Sequence, residues 1–340
     1  MAIREADVVA AAREGDEPAF AALVQRYQGE LRVHCYRMLG SLDEAEDLTQ
    51  ETFLRAWKNL AGFQGRSTFR AWLYRIATNV CLDTLDGRAR RVLPHELTGP
   101  SDLSLGGGPR TDIPWLQPFP DRLWDPPGPE AAAEERETLE LAFLAAIQHL
   151  PPRQRAVLIL RDVLGWPARD TAALLDGSVP SVNSALQRAR TTLREHLPAR
   201  RLDWAPAAEP TREQLAVLRW YMAAVERADL AAVADLLAED VRTTMPPYAV
   251  WFAGRDEVMA AITESWDPAS PSYVGRFRML ETRANGRPAV AAYLRGPGES
   301  AFAATAIGVL WIDGDRIAEI TAFHDPGLFP AFDLPAVLDR

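Results

Sequence analysis

Residues 150–197 concentrate side chains suited to reading nucleic acid. The turn Leu175-Asp176-Gly177-Ser178 separates two helical patterns. The second pattern, over 179–196, repeats Val182, Ala185, Leu186, Ala189 and Leu193 at helical spacing, which gives a stripe to bury. The opposite side carries Asn183, Ser184, Gln187, Arg188 and Thr191, with Arg190 toward one edge. Amide, hydroxyl and guanidinium groups on one face supply the donors and acceptors that match base edges and phosphates in a major groove. Gly177 is expected to take the positive φ that ends the first helix, with Ser178 or Ser181 capping the next and Pro180 in its first turn. The pattern is that of a helix-turn-helix.

The elements that must carry this face belong to a chain of 340 residues, enough for two or three domains. A net charge of −10 sits badly with nucleic-acid binding until it is divided along the chain. Residues 63–91 hold six Arg against two Asp, and residues 136–201 hold ten basic against six acidic residues. Two basic helical blocks therefore lie in an acidic protein, and each suits phosphates. Cys35 and Cys81 lack metal-ligand spacing and read as buried thiols in a reducing compartment. The five histidines are scattered. No metal or cofactor is expected. No signal peptide and no long apolar run are evident, so a cytoplasmic protein without membrane contact is expected.

Residues 3–91 read as helices. Ser41 is the expected N-cap of a helix over 42–57, with Glu44 as capping-box partner. Leu48, Phe53 and Trp57 are its expected apolar anchors, and its remaining surface is strongly acidic. A further helix runs over 68–86, with Phe69 and Trp72 expected in the core. Residues 92–130 hold nine Pro and five Gly among 39 residues, a composition for extended or disordered chain. Trp115, Phe119 and Trp124 nonetheless argue that part of this linker docks on a surface. Beyond a joint at 198–210, helices over 211–227 and 230–238 precede β-like runs at 241–245, 276–282, 289–295, 303–312 and 316–323. Asp313-Gly314 signals a hairpin. This order predicts an α+β domain with a curved antiparallel sheet.

Three words carry a resemblance. They are Asp47-Leu48-Thr49-Gln50-Glu51-Thr52-Phe53, then the run from Phe69 to Asn79, then Leu150-Pro151-Pro152-Arg153-Gln154-Arg155. With the helix-turn-helix, they resemble a sigma-70 family factor of the extracytoplasmic-function type. The residues from Thr211 on resemble a SnoaL-like, cone-shaped α+β domain through Met245-Pro246-Pro247, Trp251-Phe252-Ala253-Gly254-Arg255-Asp256 and Phe323-His324. The resemblance implies a multidomain chain: 1–91 for core polymerase and the −10 element, a linker at 92–135, 136–197 for the −35 element, and a regulatory domain at 211–333.

It also implies roles. Asp47, Gln50, Glu51 and Arg55 would grip the clamp helices of the RNA polymerase β′ subunit. Arg66, Ser67, Asn79, Asp83 and Arg88 would read the −10 DNA; Asn183, Ser184, Gln187, Arg188 and Arg190 would meet the −35 DNA. Arg155, Arg161 and Arg190 would touch phosphates or the β flap. In the C-terminal domain Tyr221, Trp251, Trp266, Arg278, Tyr293 and His324 would line a pocket for a small ligand. Catalysis by His324 with Asp229 or Asp235 is the sharper reading there, and a non-enzymatic regulatory module is the expectation. The rival for the whole chain is a helix-turn-helix regulator fused to a ligand-binding or cyclase-like domain.

Overall fold

In the computed structural model, residues 5–101, 108–124, 138–197 and 210–339 are described. The joint at 198–210 therefore lies almost wholly outside the described residues. The chain forms two compact bodies, one of residues 1–90 and 123–205, the other of residues 91–122 and 206–340.

The first body is helical. Helices α1 (Glu5–Arg13), α2 (Glu17–Leu39), α3 (Leu42–Asn59) and α4 (Phe69–Leu85) form one group. Side-chain oxygens cap three of them, from Asp16 on α2, Ser41 on α3 and Thr68 on α4. The Glu44 carboxylate reaches Arg88 at 2.9 Å. Leu31, Leu42, Ala45, Leu73 and Ala77 are buried between the helices. The buried His34 ring bonds Thr78 Oγ1 at 2.9 Å, and burial pushes its pKa down to about 3. Phe63, Phe69 and Trp72 form an aromatic cluster, with Phe69 buried and Trp72 half-buried.

The second group is α5 (Leu141–Gln148), α6 (Pro152–Leu158), α7 (Ala168–Leu174) and α8 (Val179–His196). A π-helical turn at Ile159–Val163 follows α6, unforeseen from sequence. Ser178 and Ser181 form a reciprocal capping box at the start of α8. The positive φ of the turn falls on Asp176, at 49°, and not on Gly177. Aspartate is among the residues that adopt this conformation more readily than most, and the turn so formed leaves the Asp176 carboxylate on Arg75 of α4 at 2.6 Å. The two helical groups also meet at Tyr74 and Trp166, whose rings lie 5.3 Å apart.

The second body is α+β. Helices α9 (Arg212–Arg227), α10 (Leu230–Leu236) and α11 (Arg255–Trp266) accompany strands β1 (Leu237–Thr244), β2 (Trp251–Ala253), β3 (Arg276–Ala284), β4 (Arg287–Arg295), β5 (Phe302–Asp313), β6 (Arg316–Phe323) and β7 (Val337–Leu338). The sheet order is β2-β1-β6-β5-β4-β3, with β7 on β5. The expected all-antiparallel sheet is corrected at one seam, since β1 runs parallel to β6. Everything from β2 to β5 intervenes, which supplies the long crossover a parallel pair needs. Val217, Leu218 and Val225 of α9, Val233 of α10 and Val258 of α11 share one core with Val241, Met279, Ala292, Leu310 and Ile320 of the sheet.

The linker segment 91–122 folds into this second body. Trp115 and Phe119 are buried. Val92 pairs with Trp115 and Pro120 with Ala284 as isolated β-bridges. Asn285-Gly286 turns β3 into β4 with φ of 55° and 71°, the geometry an Asn-Gly hairpin favours. The buried Asn285 exchanges bonds with Phe119: its Oδ1 accepts from Phe119 N–H and its own N–H donates to the Phe119 carbonyl, each at 2.9 Å. Farther along, Gly286 N–H donates to Asp121 and Arg122 donates to the Ala331 carbonyl. Over its described residues the linker is thus a docked strap, held where its aromatics Trp115 and Phe119 led one to expect, and not the disordered chain that its Pro and Gly content alone suggests.

Candidate nucleic-acid and partner interfaces

Helix α3 buries Thr49, Thr52, Phe53 and Ala56 and leaves Asp47, Gln50, Leu54 and Trp57 outward at helical spacing. Leu54 is 55% exposed and Trp57 36%, so Trp57 is no core anchor. Both border a groove of about 720 Å³ between α2 and α3, floored by Phe20, Val24 and Phe53, with Gln50 at its edge. An apolar groove with a polar rim is the composition of a protein-docking surface. The sequence reading missed Leu54 and mistook Trp57; an apolar residue at the same helical spacing as Asp47 and Gln50 was the available signal. Glu51 and Arg55 pair at 2.6 Å, and Arg55 reaches Asp83 of α4 at 3.5 Å. Two residues expected on different surfaces, Arg55 and Asp83, therefore meet across the α3–α4 seam.

The five candidates for the −10 element spread along α4. Arg66 and Ser67 are exposed in the loop before it, Asn79 and Asp83 lie one turn apart on it, and exposed Arg88 follows its end. A helix of 17 residues is about 25 Å long, so the two ends face different parts of a strand. Arg88 is held by Glu44 at the start of α3.

On α8, Asn183, Ser184, Gln187 and Arg188 are all exposed and share one stripe with Thr191. Arg188 donates to Ser184 Oγ at 2.7 Å, which preorders the pair along the helix. Arg190 is bidentate to Asp162 at 2.7 Å and points to the flank. The other basic candidates behave differently from expectation. Arg155 is buried, donating to the Met38 carbonyl, to Gln148 Oε1 and to the Gln148 and Leu150 carbonyls, so it is unavailable to phosphate. Burial lowers its pKa to about 10. Arg161 is half-buried and closes the π-turn onto the Trp166 carbonyl.

The six C-terminal candidates are not gathered into one pocket. Tyr221 and Trp266 pack on the helix-covered core, and burial pushes the Tyr221 phenol up to about 12. Arg278 pairs in register with Tyr293 beside Met279 and Ala292, which belong to that core; alternation turns Arg278 and Tyr293 to the other face. There Tyr293 donates to the Pro335 carbonyl at 2.9 Å, and Arg278 lies exposed over Phe302. Trp251 donates from its indole to the Thr98 carbonyl of the strap. His324 sits beyond β6 against Tyr248, and burial lowers its pKa to about 4. Asp229 is engaged in capping α10 through the Ala232 N–H, and Asp235 is exposed on the same helix.

The comparisons with known proteins agree with this architecture. Models of sigma-70 region 2, sigma-70 region 4 and the SnoaL-like domain match residues 23–91, 140–193 and 217–320. The ECF RNA polymerase sigma factor SigG of Mycobacterium tuberculosis is 44% identical over 335 residues, 96% of this chain and 88% of that protein. SigW of Bacillus subtilis is 31% identical over 186 residues, 54% of this chain and 92% of that protein. The crystal structure of the M. tuberculosis extracytoplasmic function sigma factor SigJ shares the fold, with a TM-score of 0.59 at 20% identity, over 93% of this chain and 99% of that one. Similarity to SigG runs through both helical groups and the α+β body together, and the chain belongs to the extracytoplasmic-function sigma factors of the sigma-70 family, with a SnoaL-like C-terminal domain.

Proposed function

We propose that this chain binds the core of RNA polymerase in the cytoplasm and directs it to promoters, under the control of its own C-terminal domain. The α3 stripe of Asp47, Gln50, Leu54 and Trp57, with Glu51 and Arg55 beside it, docks on the β′ clamp helices. Arg66 and Ser67 with Asn79, Asp83 and Arg88 engage the −10 element; Asn183, Ser184, Gln187 and Arg188 read the −35 element, with Arg190 at the flank. No step in this role requires catalysis by the chain.

Control is exerted through the strap. The observation that carries it is the reciprocal Phe119–Asn285 pair, which makes the linker part of the second body. A strap bound at Asn285, Gly286 and Ala331 fixes the separation of its own two ends. Binding of polymerase and two promoter elements by separate helical domains needs a linker whose ends are free to adjust, so strap release sets the active population.

The test is transcription in vitro with core polymerase, comparing the full chain with a chain ending at residue 205. Different promoter output from the two is expected. Equal output removes the regulatory part of the reading, and failure of the full chain to associate with core removes all of it.

A further inference from the structure

A cleft of about 620 Å³ opens in the second body where the strap crosses the end of β6. Its strap side carries Arg110, Ile113 and Trp115; its other side carries Pro247, Phe323 and His324. The size is that of a small-molecule site, and the lining mixes the edges of apolar side chains with charged and polar groups, among them Arg110, Asp112, His324 and Asp325.

The polar groups have a specific arrangement. The Arg110 backbone N–H donates to the Pro247 carbonyl at 2.9 Å, and the Trp115 indole donates to the Arg110 carbonyl at 2.8 Å. These bonds pin the Arg110 main chain to both sides of the cleft. Its guanidinium grips the Asp112 carboxylate as a fork, Nε to Oδ1 at 2.8 Å and Nη2 to Oδ2 at 2.7 Å. Asp112 is itself on the cleft lining, and both side chains are more than half exposed. The fork shows that the Arg110 guanidinium is placed to take a carboxylate in bidentate geometry; an incoming acid competes with Asp112 for it, and Asp325 adds a second carboxylate to the lining. His324 is kept neutral by burial, so it offers one N–H and one acceptor without adding charge.

We infer that the cleft between the strap and the β6 end binds a small aromatic carboxylate, its acid group taking the place of Asp112 on the Arg110 fork and its ring lying among Ile113, Trp115, Pro247 and Phe323. This goes beyond the proposed sigma activity and adds a ligand to the regulatory reading. An occupant touching both sides of the seam biases the strap toward its docked state.

The probe is 2-naphthoate, titrated calorimetrically into the full chain, with 2-naphthamide as the uncharged control. One saturable site is expected for the acid, with the amide weaker by about tenfold, the loss of a charge-assisted fork. Arg110→Ala should weaken the acid by a similar factor, whereas Asp112→Asn should tighten it by roughly threefold or more by removing the internal competitor. Asp112 is exposed, so the second variant does not depend on refolding. Absence of saturable binding, equal affinity for acid and amide, or weaker binding by Asp112→Asn overturns the site. The titration reads binding without transcription, so its failure leaves the sigma reading standing, and failure to engage polymerase leaves the site standing.

Discussion

The guanidinium of Arg155 donates to the main-chain carbonyl of Met38, tying the helix after the Leu-Pro-Pro word to the last turn of α2. A charge at the C-terminal end of a helix meets carbonyls that lack intrahelical partners. The same side chain satisfies Gln148 and Leu150, so one residue fastens the two helical groups together. Arg155→Met leaves several buried acceptors unpaired and should destabilise the chain by about 3 kcal/mol. Denaturant midpoints of wild type and variant check this.

Arg75 and Asp176 link the same two groups at an exposed site. Such a pair is worth about 0–1 kcal/mol. Asp176→Asn keeps a residue that accepts positive φ, so thermal stability should change little. It should nonetheless raise the fraction of molecules with separated helical groups. A fluorescence transfer pair on α4 and α8 measures that fraction, and an unchanged transfer efficiency contradicts the link.

Leu54→Ala and Trp57→Ala remove apolar surface from the α3 groove without touching the core. Folding stability should stay within about 0.5 kcal/mol for Leu54, as for surface substitutions, and fall by more for Trp57, whose ring packs on Phe20 with centroids 4.7 Å apart. Affinity for core polymerase should fall by roughly tenfold or more at Trp57, the type of anchor that dominates interfaces. Binding measured alongside melting separates the two effects.

Arg188→Ala should cost about 1–3 kcal/mol of discrimination at one base pair of the upstream element. Arg190→Ala, at a position already satisfied by Asp162, should leave sequence preference unchanged and reduce only the salt dependence. Competition binding with single-base variants of the promoter distinguishes them.

Acid should destabilise the first body through His34. Its pKa is near 3 in the fold against 6.5 when exposed, so the unfolded chain binds the proton more tightly. The contribution is complete above about pH 6.5 and is lost as pH falls toward 3, by at most about 1.4 kcal/mol per pH unit. His34→Phe should flatten the dependence of unfolding midpoint on pH across that window.

Two helix starts were legible because a single oxygen decides them: Ser41 and Ser178 stand at the caps. The outward stripe of α8 was legible because burial follows helical period. The docking of the Pro-rich linker was legible from its aromatics, which water does not tolerate in a row. What sequence hid was nonlocal. The parallel β1–β6 pair depends on a crossover of many elements. Arg155 reads as a surface cation because the Met38 carbonyl that helps to bury it lies 117 positions away, and the nearby Gln148 and Leu150 carbonyls leave no mark in sequence. The six pocket candidates were chosen for type, and the pleat sent Arg278 and Tyr293 to the face away from Tyr221 and Trp266. Asn285 could have been found, since Asn-Gly between two apolar runs signals a tight hairpin.

Phe119 and its partner Asn285 are separated by 166 positions. At ordinary ribosomal speeds that distance takes roughly 8 to 33 s to synthesise. During that interval Trp115 and Phe119 have no surface to cover them, and the nascent chain is an apolar target for chaperones. A chain that stops short of Asn285 never leaves that condition, although the sequences of its α3 and α8 faces are complete.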